Sequence, residues 1–221
     1  MRKSLFVSIL VALLLFAVVA VAHEKVAVIP LFKKNYLDKS CLDPFTTKDN
    51  DGNWLLVCAT KLVFVSSTTS TGNMGGLEGA DAQCNALAGA AGLKGTFKAW
   101  LSDSVTEVAS RFNWKPENVY RGTNDAIIST SLNLLDGTID NVIDHNEKGV
   151  QIAPGFVWTN TSSNGWRTNV LTGYTCGDWQ VETTINVGSV GESGSKDQKW
   201  TNFGFNGRCA VDSFRIYCFE Q

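Results

Sequence analysis

The stretch Gly75-Gly76-Leu77-Glu78-Gly79-Ala80-Asp81-Ala82-Gln83-Cys84-Asn85-Ala86-Leu87-Ala88, running on to Phe97-Lys98-Ala99-Trp100-Leu101-Ser102, decides how this chain folds. Leu77, Ala80, Cys84, Leu87, Ala88 and Ala91 recur at the spacing of one face of an α-helix. Glu78 and Asp81 fall in its first turn, where the helix dipole favours negative charge, and Gly92 and Gly95 end it. A short amphipathic helix therefore feeds a buried strand. A cysteine on the inner face of that helix, in an exported chain, has to be tied to something distant.

The N-terminus carries the case for export. Arg2 and Lys3 precede an apolar run over residues 5–22, interrupted by Ser8 and ending in Ala20-Val21-Ala22. This is the pattern of a secretory signal peptide cut near Ala22; an uncleaved anchor is the alternative. With cleavage the mature chain has no membrane span and is secreted or periplasmic. No cysteine follows the run directly, so lipid attachment there is not supported. Loss of Arg2 and Lys3 takes the formal net charge from −2 to −4. An acidic chain without a basic run argues against nucleic acid or anionic membrane as partner. All six cysteines (Cys41, Cys58, Cys84, Cys176, Cys209, Cys218) follow the leader. An even number in an exported chain reads as three disulfides. No two stand at zinc-site spacing, so no metal site is expected from them.

Residues 23–61 form an N-terminal arm, with a strand-like run at 25–31, a polar turn-rich segment at 33–53 and a strand at Trp54-Leu55-Leu56-Val57-Cys58. Cys41 and Cys58 bracket the turns and can pair locally. Asp49-Asn50-Asp51-Gly52-Asn53 does not extend to a calcium loop, since Thr47 and Cys58 stand where its first and last ligands belong. The main domain, residues 62–221, opens with the strand Leu62-Val63-Phe64-Val65-Ser66-Ser67. A second helix is expected over 104–112, with Ser104 as cap, Glu107 at the capping-box position, and Val105, Val108, Ala109 and Phe112 on one face. The last third alternates aromatic residues with turns: Val157-Trp158-Thr159-Asn160, Cys176-Gly177-Asp178-Trp179, Lys199-Trp200-Thr201-Asn202 and a closing strand ending in Tyr217-Cys218-Phe219. Gly188, Gly191 and Gly194 suggest tight loops between them.

Phe64-Val65-Ser66-Ser67, Gly-Gly-x-x-Gly-Ala-Asp-x-x-Cys at 75–84, Ala99-Trp100-Leu101-Ser102, Trp158-Thr159, Cys176-x-x-Trp179 and Tyr217-Cys218 together resemble the C-type lectin-like fold. More narrowly, the chain is similar to a bacterial domain of uncharacterised function found in surface and exported proteins, including spirochaete lipoproteins, with endostatin as a distant relative. The resemblance covers residues 62–221. It implies an α+β fold with two helices, small antiparallel sheets and a long loop region. It also implies a pairing of the cysteines: Cys84–Cys218, Cys176–Cys209 and, by remainder, Cys41–Cys58. The Glu-Pro-Asn or Gln-Pro-Asp loop and Trp-Asn-Asp strand of calcium-dependent sugar-binding lectins are missing, so no cofactor is expected, with calcium held without that motif as the alternative.

No nucleophile elbow, zinc-protease helix or phosphate loop is present, and no catalytic residue is assigned. Asp136, Asp140 and Asp144 stand four apart and could share a face around a cation; a solvated surface segment is the simpler reading. Asp144 and His145, as sequence neighbours, are expected to point different ways. Trp100, Trp158, Trp179 and Trp200 sit in strand-like contexts and read as core. Trp166 lies in a polar loop, so Asn164, Trp166, Arg167 and Asn169 are the candidate ligand-binding residues, suited to stacking on a sugar or docking a protein; a ring folded back on the domain is the alternative. Asn160-Thr161-Ser162 fits a glycosylation sequon. The expected function is an exported, non-catalytic binding domain for a glycan or an extracellular or cell-surface protein, acting through the loop region at 114–206. A structural envelope component, or a hydrolase centred on Asp144 and His145, is the alternative.

Overall fold

The computed structural model describes residues 45–48, 54–57, 60–115, 118–130, 134–181 and 183–221. The expected leader, the expected strand-like run at 25–31 and the expected Cys41–Cys58 pairing fall outside the described residues. Strands β1 (Phe45–Lys48) and β2 (Trp54–Val57) pair antiparallel, Phe45 opposite Val57 and Lys48 opposite Trp54. The sequence points to β2, whereas β1 falls in the segment read as turns.

The rest is mixed α+β. Strand β3 (Thr60–Val65) leads into helix α1 (Gly76–Ala90), β4 (Phe97–Ala99), a single helical turn α2 (Val108–Arg111), β5 (Val119–Gly122) and β6 (Ile127–Thr130). Strands β7 (Phe156–Trp158), β8 (Val187–Glu192) and β9 (Asn206–Arg208) form a second sheet, and β10 (Tyr217–Glu220) returns to the first, whose order is β4-β10-β3-β5-β6. The sheets are not purely antiparallel as expected. β3 and β5 run parallel, because the chain crosses over through α1, β4 and α2 before β5 begins.

The larger sheet is covered on both sides, which is why β3 is a nearly unbroken apolar run. Val63, Val65, Tyr217 and Phe219 face one core with Trp100, Tyr120 and Trp200. Phe64, Phe97, Ala99 and Cys218 face the other, against Ala80, Cys84 and Ala88 of α1. The Cys84–Cys218 disulfide joins α1 to β10 across 134 residues of sequence and Cys176–Cys209 joins the loop region to the residue that follows β9, so two of the three expected bridges stand among the described residues. Closure of the longer loop stabilises by about 4–5 kcal/mol in the chain-entropy account.

Helix α1 ends where glycine predicts. Gly92 has φ +74°, Leu93 N donates to Ala88 O, and Gly92 N donates to Gly89 O, the paired bonds of a Schellman cap. Asp81, read as a dipole residue, lies past the first turn and does something else. Its Oδ1 accepts from Ala99 N at 2.8 Å and its Oδ2 from Arg111 Nη2 at 2.6 Å. Asn85 Oδ1 accepts from Phe97 N, its Nδ2 donates to Phe97 O, and Arg111 Nη1 donates to Ala99 O. Side chains thus hydrogen-bond the outer edge of β4 as a neighbouring strand would. The Asp-x-x-Cys-Asn sequence is a staple.

Three expectations give way to tertiary contacts. The helix expected over 104–112 shrinks to α2, because Asp103 Oδ1 accepts from Val105 N and Thr106 N while Ser104 is held elsewhere, so residues 103–107 form a loop. Gly188 and Gly191 lie within β8, not in tight loops: a Cβ on Gly191 would sit 2.1 Å from Trp200 O, and one on Gly188 3.0 Å from Cys176 Sγ and both Trp158 and Trp179. Trp200 ends a 3-10 turn (Gln198–Trp200) rather than a strand, and like Trp100, Trp158 and Trp179 it is wholly buried.

Candidate functional site

The chain leaves β7 through Thr159 and Asn160. Asn160 is fully buried at φ +42°, and its side chain closes a loop: Oδ1 accepts from Asn169 N and Nδ2 donates to Asn169 O. Inside it, Thr161 bridges Arg167, Ser162 N donates to Trp166 O at 2.7 Å, and Trp166 N donates to Asn164 Oδ1. Gly165 turns the tip at φ +78°, and its carbonyl accepts from Ala109 N. The loop is therefore held by its own backbone and by α2.

On this frame Trp166 is 60% exposed. Val105, Val170 and Leu171, on the loop's neighbouring segments, also stand largely in solvent, and Tyr174 is partly exposed beside them in sequence. Arg167 Nη1 donates to Val105 O at 2.7 Å and pairs with Glu107, which draws residues 103–107 to the loop. Asn169 Nδ2 donates to Ser189 Oγ, which donates to Asn206 Oδ1, so a chain of polar groups crosses β8 and β9.

Of the four sequence candidates, Trp166 presents its ring to solvent. Asn164 caps its own turn, Arg167 ties two loops together, and Asn169 sits in the amide network. Sequence reading passed over Val170, Leu171 and Tyr174; the signal was an apolar pair in a turn-rich segment with no periodic partner. Asn160 of the sequon is buried with its amide engaged, out of reach of a modifying enzyme in the folded chain.

Cys176-Gly177-Asp178-Trp179 is not strand-like as expected. It is a turn (Cys176–Trp179) in which four successive residues have positive φ: +50°, +58°, +56° and +64°. Only Gly177 adopts this without penalty; the other three carry about 1–2 kcal/mol each. Tertiary partners enforce it. Cys176 is bridged to Cys209, Trp179 Nε1 donates to Ser102 O at 2.9 Å, and Trp179 O accepts from Met74 N. Asp178 Oδ1 accepts from Ser104 N and Thr175 Oγ1, and Oδ2 accepts from Ser104 Oγ, all within 2.9 Å.

Two further polar groups stand apart from this surface. Asp144 and His145 meet, contrary to expectation, with Oδ1 and Nδ1 2.6 Å apart, because residues 142–144 follow neither helix nor strand geometry; Gln151 Nε2 donates to the other Asp144 oxygen. Glu147 is buried and accepts from Ser67 N and Ser67 Oγ, which explains the second serine of Phe64-Val65-Ser66-Ser67. Asp136, Asp140 and Asp144 do not converge: Asp136 accepts from Thr138, and Asp144 is engaged with His145 and Gln151. Among the described residues no three His, Cys, Asp or Glu side chains group to hold a metal, and no helix is long and apolar enough to cross a membrane.

No curated protein matches the chain. A family model described as "Protein of unknown function (DUF1554)" matches residues 67–196, a span that takes in α1, the Trp166 loop and the left-handed turn. With more than half of its length matched, the chain belongs to that family.

Proposed function

We propose that this chain is an exported, non-catalytic binding domain that recognises an extracellular or cell-surface protein through the surface around Trp166. One observation carries the reading: Trp166, Val105 and Tyr174 stand exposed on segments whose backbone is already hydrogen-bonded in place, and Val170 and Leu171 stand exposed between Trp166 and Tyr174. Aromatic side chains dominate binding energy at protein interfaces, and a surface ordered beforehand loses less entropy on association. The aliphatic neighbours favour a protein over a glycan, since Asn164, Arg167 and Asn169 are engaged within the domain. The scaffold we infer is C-type lectin-like, spanning 62–221 behind a leader and the 23–61 arm. Pairing of β3 with β10 and the Cys84–Cys218 link support that scaffold. The disulfides are compatible with a place outside the cytoplasm.

An array of extracellular proteins and glycans, run with and without a calcium chelator, tests the proposal. Binding to protein features that survives the chelator and is lost in Trp166→Ala is expected. Binding unchanged in Trp166→Ala and Leu171→Ser, or binding to glycans alone, refutes it. The Asp144–His145 bond is the observation from which a hydrolytic reading starts, and hydrolase screening of the protein beside His145→Ala separates the two.

A further inference from the structure

We propose that Asp178 is a positioning residue for the recognition surface, and that the left-handed turn exists to deliver its carboxylate to Ser104. The proposal rests on the reading of the Trp166 surface as the binding site. A run of positive φ through three non-glycine residues needs a reason beyond chain reversal, which glycines would serve without strain. Its effect here is to send three side chains to three fixed partners: sulfur to Cys209, carboxylate to Ser104, indole to the Ser102 carbonyl. Two of these partners lie in one short segment. That segment is the near side of the binding surface. Ser102 Oγ lies 2.9 Å from Thr161 Oγ1 and accepts from Val108 N. Beyond Ser104, Val105 O and Glu107 receive Arg167, and Ala109 N reaches Gly165 O at the tip of the Trp166 loop.

A continuous path of hydrogen bonds therefore runs from the disulfide-anchored turn, through Asp178 and residues 103–107, to the loop that carries Trp166. Coupling of this kind needs a perturbation at one end read out at the other. Asp178 supplies the point at which to cut, because both its oxygens face the segment and its own backbone tolerates glycine.

Hydrogen exchange of the full, disulfide-bonded chain, with no partner added, is the experiment. Asp178→Gly keeps the left-handed turn and removes the carboxylate. Exchange is expected to rise by about tenfold or more in residues 103–107 and in 162–168, with β8 and β10 unchanged. Asp178→Asn restores most of the protection, since its carboxamide can accept from Ser104 N and donate to Ser104 Oγ. Ser104→Ala, which cuts one bond from the other side, gives a smaller rise over the same residues and serves if Asp178→Gly does not fold. Exchange within twofold of the parent at either segment, or a uniform rise that includes β8 and β10, overturns the proposal. Because no partner enters the measurement, its outcome is separate from that of the array.

Discussion

Replacement of Asp81 by alanine tests whether the helix staples the sheet edge. Its carboxylate accepts from Ala99 N on the open side of β4 and pairs with Arg111, whose side chain is only 9% exposed. Alanine leaves a buried amide without an acceptor and a nearly buried guanidinium without its counter-charge. Breaking a buried pair from one side costs about 3–5 kcal/mol, and an unsatisfied buried donor alone about 1–3 kcal/mol. The two overlap, so the expected loss is about 4 kcal/mol, or about 10 °C in Tm for a domain of this size. Asp81→Asn keeps the acceptor for Ala99 and loses the charge, for about 1.5–3 kcal/mol. Adding Arg111→Met to Asp81→Ala removes the stranded charge, leaves an aliphatic chain over Phe112, and should recover about 1–3 kcal/mol. Urea unfolding with the disulfides intact measures all three. A loss under about 1 kcal/mol for Asp81→Ala, or a double variant no more stable than the single, refutes the reasoning.

Gly191→Ala forces a Cβ to within 2.1 Å of the Trp200 carbonyl and should lose about 3 kcal/mol or more, whereas Gly89→Ala, which meets nothing within 4 Å in α1, should gain about 0.5–1 kcal/mol; thermal melts of the pair decide. Glu147→Ala strips Ser67 N of its acceptor, so an unfolding loss of about 1–3 kcal/mol and faster exchange at that amide are expected. Burial, and secondarily the charge of Glu192, holds the Tyr217 phenol well above its ordinary value. The native state keeps this proton after the unfolded chain has released it. The contribution is therefore whole below about pH 10 and declines above it by up to about 1.4 kcal/mol per pH unit. Tyr217→Phe should flatten the alkaline fall in unfolding free energy; equal slopes in both proteins would count against this.

Local pattern was enough for α1 and its end, since apolar spacing and a C-terminal glycine act within a few residues. β3 and the burial of four tryptophans were also legible. The cysteine pairing came from the resemblance and not from spacing. The amino-acid order by itself settled an acidic chain with an even set of cysteines, one amphipathic helix and apolar strands, because composition and short-range periodicity are properties of the string. Tertiary structure alone decided that residues 103–107 refuse the helix their capping pattern invites, that β8 needs glycines because Trp200 and the Cys176 sulfur lie against it, and that Cys176–Trp179 winds left-handed. For residues 103–107 and for Cys176–Trp179, partners tens of residues away (Asp178 for Ser104, Cys209 and Ser102 for the turn) outweigh a local preference of about 1–2 kcal/mol; for β8 the partners are nearer in sequence but reach it only through the folded chain.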